Sequence, residues 1–281
     1  MKLLRTISEL NEWRLHTEGQ SLGFVPTMGA LHEGHFSLAE SSLNGCGLTL
    51  VSIYVNPTQF NNAEDLQNYP NTLDADLEAL QAMNVDAVYL PQQAELYPDG
   101  PVSRQFDFGT LGTFMEGAGR PGHFEGMATV VTRFFEIIKP DYAYFGEKDF
   151  QQLAIIRYVV ATEGWPVVIC PGETVREADG LAMSSRNLRL TEAERLDAGK
   201  INRIVGLWRA EGNWSKSTPQ AEKDLLQKRL NEVASLNTEY VEIANPKTLV
   251  PLQSFSEAES ARVFIAVGCG KVRLIDNYPL F

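Results

Sequence analysis

The chain has 281 residues, of which 44% are hydrophobic and 21% are charged, and its formal net charge is −12. These fractions are those of a globular protein, and a chain of this length buries a core that needs no disulfide or metal to stabilise it. The acidic balance argues against a nucleic-acid-binding protein, because such proteins bind phosphates mainly through Lys and Arg.

The cysteines and the apolar segments indicate a cellular compartment. Cys46, Cys170 and Cys269 are widely spaced and form no C-x-x-C pair. Each lies in or beside an apolar stretch, so we interpret them as small buried residues in a reducing compartment. The N-terminal sequence has no apolar segment before a cleavage site, and no run of about 18 apolar residues occurs. The sequence therefore predicts a cytoplasmic protein.

Apolar segments alternate with amphipathic segments through the first 170 residues. Such alternation predicts an α/β domain, with a parallel sheet and helices on both faces. Ligands of such sheets bind outside the carboxyl ends of the strands, so the loops that follow the strands are candidate sites. The predicted strands are 22–26, 48–55, 85–90, 141–145 and 166–170, and the predicted helices are 34–44, 72–83, 126–138 and 149–162.

The pattern changes from about residue 176 onwards, where helical segments come first and strands follow. This order predicts a smaller C-terminal α+β domain. We therefore divide the chain into domains 1–175 and 176–281. The predicted elements of the second domain are helices at 191–210 and 218–235 and strands at 239–244, 262–267 and 271–275.

The segment PTMGALHEGH follows the first strong strand and leads into a helix. A turn of this kind points backbone N–H groups and the positive end of the helix dipole at a ligand, which favours phosphate. Gly29 and Gly34 allow a ligand to approach the backbone closely. His32 and His35 are three residues apart, so they share one face of the helix and can stabilise charge on a polyphosphate.

Two alternatives for this pair of histidines stay open at this point. One is a zinc site, although the spacing is not H-E-x-x-H and the other histidines, His16 and His123, provide few further ligands. The other is a purely structural role. Because three of the four histidines fall in Gly-rich segments, we favour phosphate binding or catalysis.

Asn56-Pro57-Thr58-Gln59 follows the second strong strand at the same predicted edge of the sheet. The amides of Asn56 and Gln59 can donate and accept hydrogen bonds, which suits a substrate with hydroxyl and carboxylate groups. Taken alone, such a segment is more often a turn with capping amides.

Arg120 and His123 lie in a Gly-rich segment that we interpret as a mobile loop over an anionic substrate. The alternative is an ordinary surface loop. The preceding residues match G-x-G-x-x-G literally, but Pro121 lies within the match and the next predicted helix starts about four residues later. We therefore reject a dinucleotide-binding fingerprint.

Lys148 and Asp149 lie where the fourth predicted strand ends and the next helix starts. Lys148 offers a positive charge for phosphate oxygens, and Asp149 can cap the helix, hold a ribose hydroxyl or bind a metal-bound water. Gln152 can reach an acid substrate from the same helix. The segment lacks the Ser or Thr of a P-loop.

Ser184, Ser185 and Arg186 follow a turn signal at Asp179-Gly180. Two hydroxyls beside a guanidinium form a phosphate-gripping loop, since Arg presents several donors at fixed angles. Such loops are common, so this signal is weak alone. It becomes strong together with the His-x-x-His segment about 150 residues earlier.

The two segments resemble the HIGH and KMSKS signatures of class I aminoacyl-tRNA synthetase-like nucleotidylyltransferases. More specifically, the chain resembles the pantothenate synthetase (pantoate–β-alanine ligase) family. The blocks that carry this resemblance, in that family's order and approximate spacing, are PTMGALHEGH, VNPTQF, RPGHFEGM, FGEKDFQQL and READGLAMSSRN.

The resemblance implies a Rossmann-like ATP-binding domain, a C-terminal domain that acts as a lid, and a homodimer. It implies that pantoate and Mg-ATP form pantoyl adenylate, which β-alanine attacks to give pantothenate and AMP. His35 is implied as a proton donor, His32 and Lys148 as phosphate ligands, and Gln59 and Gln152 as pantoate ligands. The ATP contacts implied are Met28, Gly29, Ala30, Leu31, His32, Glu33, Gly34, His35, Gly146, Glu147, Lys148, Asp149, Val175, Met183, Ser184, Ser185 and Arg186.

Two departures from the family pattern are visible: Phe150 replaces a frequent Tyr, and Asn61-Asn62 replaces a Gly-containing stretch. The magnesium ligands are not evident, and Asp76 and Asp149 are candidates. Three rival functions are a nucleotidylyltransferase that leaves the nucleotide on its acceptor, a tRNA synthetase and a silent ATP sensor. The acidic net charge disfavours a tRNA synthetase. A silent ATP sensor is disfavoured because the histidine, lysine and arginine side chains that could stabilise a transition state occur together.

Overall fold

The computed structural model describes residues 1–212 and 214–281. These residues form two compact units. Most of the N-terminal part belongs to unit 1, while unit 2 takes two short internal segments in addition to the C-terminal part. Unit 1 consists of Met1–Phe108, Arg120–Glu147 and Gln152–Glu173, and unit 2 of Gly109–Gly119, Lys148–Gln151 and Thr174–Phe281.

Unit 1 contains a parallel β-sheet. Its strands are β1 (Lys2–Leu4), β2 (Leu22–Thr27), β3 (Leu48–Ile53), β4 (Ala87–Tyr89), β5 (Tyr142–Gly146) and β6 (Val168–Gly172). Within the part of the chain that is described, the strand order is β1-β4-β3-β2-β5-β6. The chain moves outward from β2 on one side and from β5 on the other, so the order reverses between these two strands. Parallel sheets bind ligands at such a reversal.

Helices flank this sheet and pack with it through apolar side chains. In chain order, the helices of the chain are α1 (Ile7–Leu15), α2 (Glu33–Gly45), α3 (Ala63–Gln67), α4 (Leu73–Ala82), α5 (Gln93–Leu96), α6 (Glu116–Gly119), α7 (His123–Ile138), α8 (Phe150–Glu163), α9 (Glu192–Ala198), α10 (Lys200–Glu211) and α11 (Pro219–Asn231). Val25 of β2 packs in one cluster with Leu38 of α2 and Leu80 of α4. Its neighbour Phe24 meets Phe134 of α7 with ring centroids 5.4 Å apart. Because successive strand residues point to opposite faces, helices cover both faces of the sheet.

Unit 2 contains an antiparallel sheet of strands in the order β7 (Leu236–Ala244), β8 (Arg262–Cys269) and β9 (Val272–Pro279). Helices α10 and α11 contribute buried side chains, among them Trp208 and Leu226, to the same apolar core as Ile265 of β8. The indole N–H of Trp208 donates to Glu222 at 2.9 Å, so this large buried ring has its polar atom satisfied.

The fold class predicted from the sequence is confirmed: a parallel sheet flanked by helices, with a smaller antiparallel C-terminal sheet. Several predicted boundaries are wrong: β7 begins at Leu236 instead of 239, and α11 ends at Asn231 instead of 235. The helix predicted at 191–210 is two helices that meet at Gly199, α7 begins at His123 instead of 126, and β9 continues to Pro279 instead of ending at 275. The division into domains 1–175 and 176–281 stays a prediction.

No helix in the described part of the chain combines the length and the apolar character that crossing a membrane requires.

Candidate active site

The chain reverses sharply between β2 and α2. Gly29 and Ala30 are consecutive left-handed residues, with φ values of 82° and 50°. Glycine adopts this conformation without strain, whereas Ala30 must be held in it by its surroundings. This turn places the N-terminus of α2, a helix of 13 residues, directly after β2. Strand β2 borders the point at which the strand order reverses. The positive end of that helix dipole is a suitable place for an anion.

Asp76 of α4 holds this turn in place. Its carboxylate accepts hydrogen bonds from the N–H groups of Ala30 and Leu31, both at 2.9 Å, and from the hydroxyl of Thr72 at 3.0 Å. The sequence suggested Asp76 only as a magnesium candidate, but its geometry is that of a side chain that fixes the backbone of Ala30. A sequence signal existed, because Asp76 occupies a core-facing position between Leu73 and Leu80 of an amphipathic helix.

His32 and His35 lie together at the start of α2, with ring centroids 4.1 Å apart. His32 is the N-cap residue, and its Nδ1 accepts from the N–H of Gly34 at 3.2 Å. In the neutral ring of His32 the hydrogen is therefore on Nε2. The predicted pairing of the two imidazoles on one face is present at the helix N-terminus, where they can meet a phosphate.

A second polar segment follows β3 at the same edge of the sheet. Residues Pro57–Gln59 form a short 3-10 turn. The Gln59 amide nitrogen lies 3.2 Å from the sulfur of Met28, so this segment meets the turn after β2. Asn56 is 1% exposed, and its amide is hydrogen-bonded within the protein. The assignment of Asn56 to direct substrate contact stays a prediction, and its burial favours a supporting role.

Arg120 and His123 lie beside the 3-10 turn that contains Gln59. His123 is the first residue of α7 and is buried, so the prediction that it lies in a mobile Gly-rich loop is wrong for this residue. Its Nδ1 lies 2.8 Å from the carbonyl oxygen of Gln59, which can only accept, so Nδ1 carries a hydrogen. Arg120 Nη1 lies 2.9 Å from Nε2 of the same ring. Both side chains are thus fixed against the backbone of Gln59.

Lys148 belongs to unit 2, in the 3-10 turn Glu147–Asp149 that precedes α8. Its ammonium group is 3.6 Å from a carboxylate oxygen of Asp149, and the two side chains are 20% and 46% exposed. The Lys148 carbonyl accepts from the side-chain amide of Asn277 in β9 at 3.0 Å. The segment therefore presents a partly exposed cation on a backbone that the C-terminal sheet holds.

The neighbouring Gln151 and Gln152 have different surroundings. Gln151 is buried, and its amide donates to the carbonyls of Leu111 and Phe114 at 2.7 and 2.9 Å. It also accepts from the N–H of Glu116 at 3.1 Å. Gln152, the predicted pantoate ligand, is half-buried. The sequence did not reveal the role of Gln151, since two consecutive glutamines look alike without a contact partner.

Residues 175–186 form a hairpin-like segment in unit 2. The N–H of Met183 donates to the carbonyl of Val175 at 3.0 Å, so two predicted ATP residues lie side by side. Ser184 caps the 3-10 turn Ser185–Arg189 by accepting from the N–H of Arg186 at 3.3 Å. The predicted Ser-Ser-Arg segment therefore has a defined backbone.

An ion pair between the hairpin and β9 supports this segment. Arg176 donates to both carboxylate oxygens of Asp276, at 2.6 and 3.0 Å, and Tyr278 donates to Asp276 at 2.6 Å. Burial and the neighbouring Asp276 charge raise the pKa of the Tyr278 hydroxyl, so this group stays a donor at neutral pH. Arg176 begins the sequence block READGLAMSSRN, whereas Asp276 and Tyr278 lie outside the segments that the sequence singled out.

The burial predicted for the cysteines is found only in part. Cys269 is buried as predicted, but Cys46 and Cys170 are only half-buried. Cys46 is the residue that ends α2, and Cys170 lies in β6, an edge strand with no neighbouring strand on one flank among the described residues. No group of three or more His, Cys, Asp or Glu side chains that could hold a metal occurs among the described residues.

A parallel sheet with a strand-to-helix turn at the reversal of its strand order is typical of nucleotide-binding α/β proteins. The comparisons with known proteins narrow this class. A family model described as pantoate–β-alanine ligase matches residues 2–279. The pantothenate synthetase of Porphyromonas gingivalis is 44% identical over 279 residues, which cover 99% of this chain and 98% of that protein.

Solved structures agree with this result. The crystal structure of pantothenate synthetase from Thermus thermophilus matches with a TM-score of 0.91, 38% identity and full coverage of both chains. Pantoate–β-alanine ligase from Francisella tularensis, in complex with βγ-ATP and β-alanine, matches with a TM-score of 0.85 and 35% identity, and covers 100% of this chain and 98% of that one. The chain belongs to the pantoate–β-alanine ligase family. The family predicted from the sequence motifs is confirmed.

Proposed function

We propose that this chain joins pantoate to β-alanine in two steps that consume ATP. In the first step a carboxylate oxygen of pantoate attacks the α-phosphorus of ATP, and pyrophosphate leaves. In the second step the amine of β-alanine attacks the acyl carbon, loses a proton, and displaces AMP. Adenylation is needed because a free carboxylate would have to expel an oxide, whereas the adenylate expels AMP. Family membership and the ligand-bound relative support this reaction.

The observation that carries the proposal is the turn after β2. Gly29 and Ala30 reverse the chain, Asp76 fixes the turn, and His32 and His35 stand at the helix N-terminus. This position suits the phosphates of ATP, because the positive end of the helix dipole favours negative charge and the two imidazoles lie beside it.

The roles of the charged side chains follow from the charge that develops on the pyrophosphate. His32, Lys148 and Arg186 provide donors for the phosphate oxygens, with the hydroxyls of Ser184 and Ser185 beside Arg186. His35 donates a proton or hydrogen bond during the displacement. Fixed donors of this kind are commonly worth about a hundred- to thousandfold in rate.

Further ATP contacts belong to the proposal on the family resemblance. They comprise Met28, Gly29, Ala30, Leu31, Glu33, Gly34, Gly146, Glu147, Asp149, Val175 and Met183.

Pantoate and β-alanine are bound by polar side chains of unit 1. Gln59 and Gln152 hold pantoate through their amides, Arg120 supplies a positive group for the anion, and His123 belongs to this substrate site by holding Arg120 through Nε2. His123 and Arg120 meet at the carbonyl of Gln59, so a change in any of the three alters the position of the others.

Magnesium enters as part of the substrate, MgATP. Mg²⁺ commonly keeps several waters and takes only one or two carboxylates in addition to substrate phosphates. Asp149 suits this role better than Asp76, whose carboxylate already accepts three hydrogen bonds. When bound, the ion neutralises charge on the phosphates. We also propose that the chain acts as a homodimer, on the family resemblance.

The test follows a heavy-oxygen label placed in the carboxylate of pantoate. The expected result is label in AMP, released in equal amounts with pantothenate, only when ATP, pantoate and β-alanine are all present. Label in AMP distinguishes acyl adenylation from an enzyme that leaves the nucleotide on its acceptor. ATP consumption that does not depend on pantoate, or AMP without label, overturns the proposal.

A further inference from the structure

The Asn56 side chain is enclosed by polar groups of unit 1. Tyr97 Oη lies 2.8 Å and Thr58 Oγ1 3.1 Å from Asn56 Oδ1. Asn56 Nδ2 lies 3.1 Å from the carbonyl oxygen of Gly126 and 3.1 Å from Gln59 Oε1. Since Asn56 is 1% exposed, these groups occupy all the hydrogen-bonding directions of its amide.

The chemistry of these neighbours fixes the orientation of the Asn56 amide. A backbone carbonyl can only accept, so the group facing Gly126 must be the NH₂. The oxygen then faces Tyr97 and Thr58, whose hydroxyls can donate. The reverse orientation would place two oxygens against each other at Gly126 and leave a buried group unsatisfied.

The fixed orientation of Asn56 determines that of Gln59. The second N–H of Asn56 points at Gln59 Oε1, so the oxygen of the Gln59 amide is the side that accepts. The Gln59 NH₂ then lies on the other side, where Nε2 is 3.2 Å from Met28 Sδ at the start of the turn after β2. Gln59 thus presents N–H donors towards that turn.

The backbone around Asn56 and Gln59 is closely packed, which keeps the side-chain amides of these two residues in position. A Cβ atom on Gly126 would lie 2.3 Å from the carbonyl oxygen of Thr58 and 2.8 Å from the N–H nitrogen of Gln59. Helix α7 therefore rests directly on the turn that carries Gln59. Burial raises the pKa of the Tyr97 hydroxyl, so the phenol remains a donor across the neutral pH range.

We propose that Tyr97 is a positioning residue that, through Asn56, holds the Gln59 amide with its N–H donors towards the oxygens of the acid substrate. An anionic hydroxy acid offers only acceptors and hydroxyls, so a donor binds its carboxylate whereas an amide oxygen repels it. The inference rests on the proposed function, in which Gln59 binds pantoate. It adds a residue that does not itself touch the substrate.

The experiment compares Tyr97→Phe with Tyr89→Phe. Tyr89 is a matched control, because its hydroxyl is buried and has no hydrogen-bond partner in the described part of the chain. Tyr97→Phe removes one of the two donors to Asn56, and we expect the KM for pantoate to rise about five- to tenfold. The KM for ATP and kcat should stay within about twofold, and Tyr89→Phe should leave the KM for pantoate unchanged.

A second variant tests the amide orientation directly. Asn56→Asp places an oxygen opposite Gly126 and Gln59, so the Gln59 amide must rotate and present its oxygen to the substrate. We expect the KM for pantoate to rise by about a hundredfold, more than in Tyr97→Phe. If Tyr97→Phe does not fold, Thr58→Val, which removes the other hydroxyl at the same amide oxygen, replaces it and should raise the same KM.

The outcomes separate this inference from the proposed function. If the unmodified protein does not use pantoate, the proposed function fails. If it uses pantoate but Tyr97→Phe changes the KM for ATP and for pantoate equally, or changes neither, the positioning role of Tyr97 is overturned. A selective rise in the KM for pantoate supports it.

Discussion

His32 and His35 are adjacent but chemically different. His32 Nδ1 accepts from the N–H of Gly34, so His32 is tied to the helix N-terminus as a capping residue. His35 lies one turn further along the helix, with its ring 4.1 Å from that of His32. The two rings therefore contribute separately: His32 shapes the start of α2, and His35 is the better candidate for proton transfer.

We expect His35→Ala to fold normally and to lower turnover by about a hundredfold or more, since a positioned proton donor contributes that much. Turnover is measured as AMP release at saturating ATP, pantoate and β-alanine, and folding by thermal unfolding. His16→Ala is the matched control, because His16 is exposed at the end of α1. Turnover at the unmodified level in His35→Ala would remove this residue from the mechanism.

Asp76 provides a second prediction at the scale of single residues. Its carboxylate accepts the N–H groups of Ala30 and Leu31, and Ala30 is held at a φ of 50°. Asp76→Ala leaves both donors without their acceptor, so we expect the free energy of unfolding to fall by about 2 kcal/mol and the KM for ATP to rise.

Denaturant unfolding and ATP saturation curves measure the two effects of Asp76→Ala. Asp74→Ala, an exposed change on the same helix, is the control and should alter neither quantity. A rise in the KM for ATP without a loss of stability would instead assign Asp76 to contact with the nucleotide or its metal.

Strands and helices with a strong apolar pattern could be predicted from the sequence. β2, β3 and β5 are found close to their predicted positions, since their Val-, Leu- and Tyr-rich runs are buried on both faces of a parallel sheet. The elements that were missed lack such a pattern. β1 has three residues, and α1 buries only Leu10.

Two boundaries were missed because polar contacts decide them. Helices α9 and α10 meet at Gly199, where a Cβ atom would lie 2.1 Å from Asp179 Oδ2, the acceptor of Arg195. β9 continues through Asp276 and Asn277, which are buried with hydrogen-bond partners in other segments. Polar residues normally indicate the end of a strand, and partners distant in sequence cannot be recognised from spacing.

The continuation of β9 gives a prediction at the scale of the element. Asn277 donates to the carbonyl of Lys148 at 3.0 Å, and its oxygen accepts from Arg262. Arg262 also stacks over the ring of Phe150, 4.0 Å from its centroid. β9 therefore holds the backbone of Lys148. We expect Asn277→Ala to slow adenylate formation about tenfold, because the lysine loses its fixed position.

ATP–pyrophosphate exchange in the presence of pantoate measures adenylate formation in Asn277→Ala. Asn231→Ala is the control, since Asn231 also bonds a backbone group of unit 2, the N–H of Thr238 at 2.8 Å, but not the Lys148 segment. Equal exchange rates in the two variants would contradict a positioning role for Asn277.

For the whole molecule, the sequence predicted the family and the reaction, because five motif blocks occur in a characteristic order. The supporting residues could not be predicted. Gln151 and Tyr97 act through hydrogen bonds to residues about 40 positions away, and Arg273 bonds Glu116 from 157 positions away. Homodimerisation and magnesium binding stay predictions, since both depend on partners outside the chain.

The two half-reactions make different demands on the molecule, and Lys148 distinguishes them. Lys148 offers its charge to the phosphates of ATP, so it matters while pyrophosphate departs and matters less once the adenylate has formed. We expect Lys148→Ala to lower ATP–pyrophosphate exchange by about a hundredfold or more. The attack of β-alanine on supplied pantoyl adenylate should fall much less.

Lys148→Met serves as a second variant, because it keeps an unbranched side chain of nearly the same length and removes the ammonium group. Both variants should lose exchange to a similar extent if the charge is the cause. A variant that forms the adenylate at the normal rate but cannot pass it to β-alanine would reverse the assignment, since Lys148 would then act on the amine or on the departing AMP.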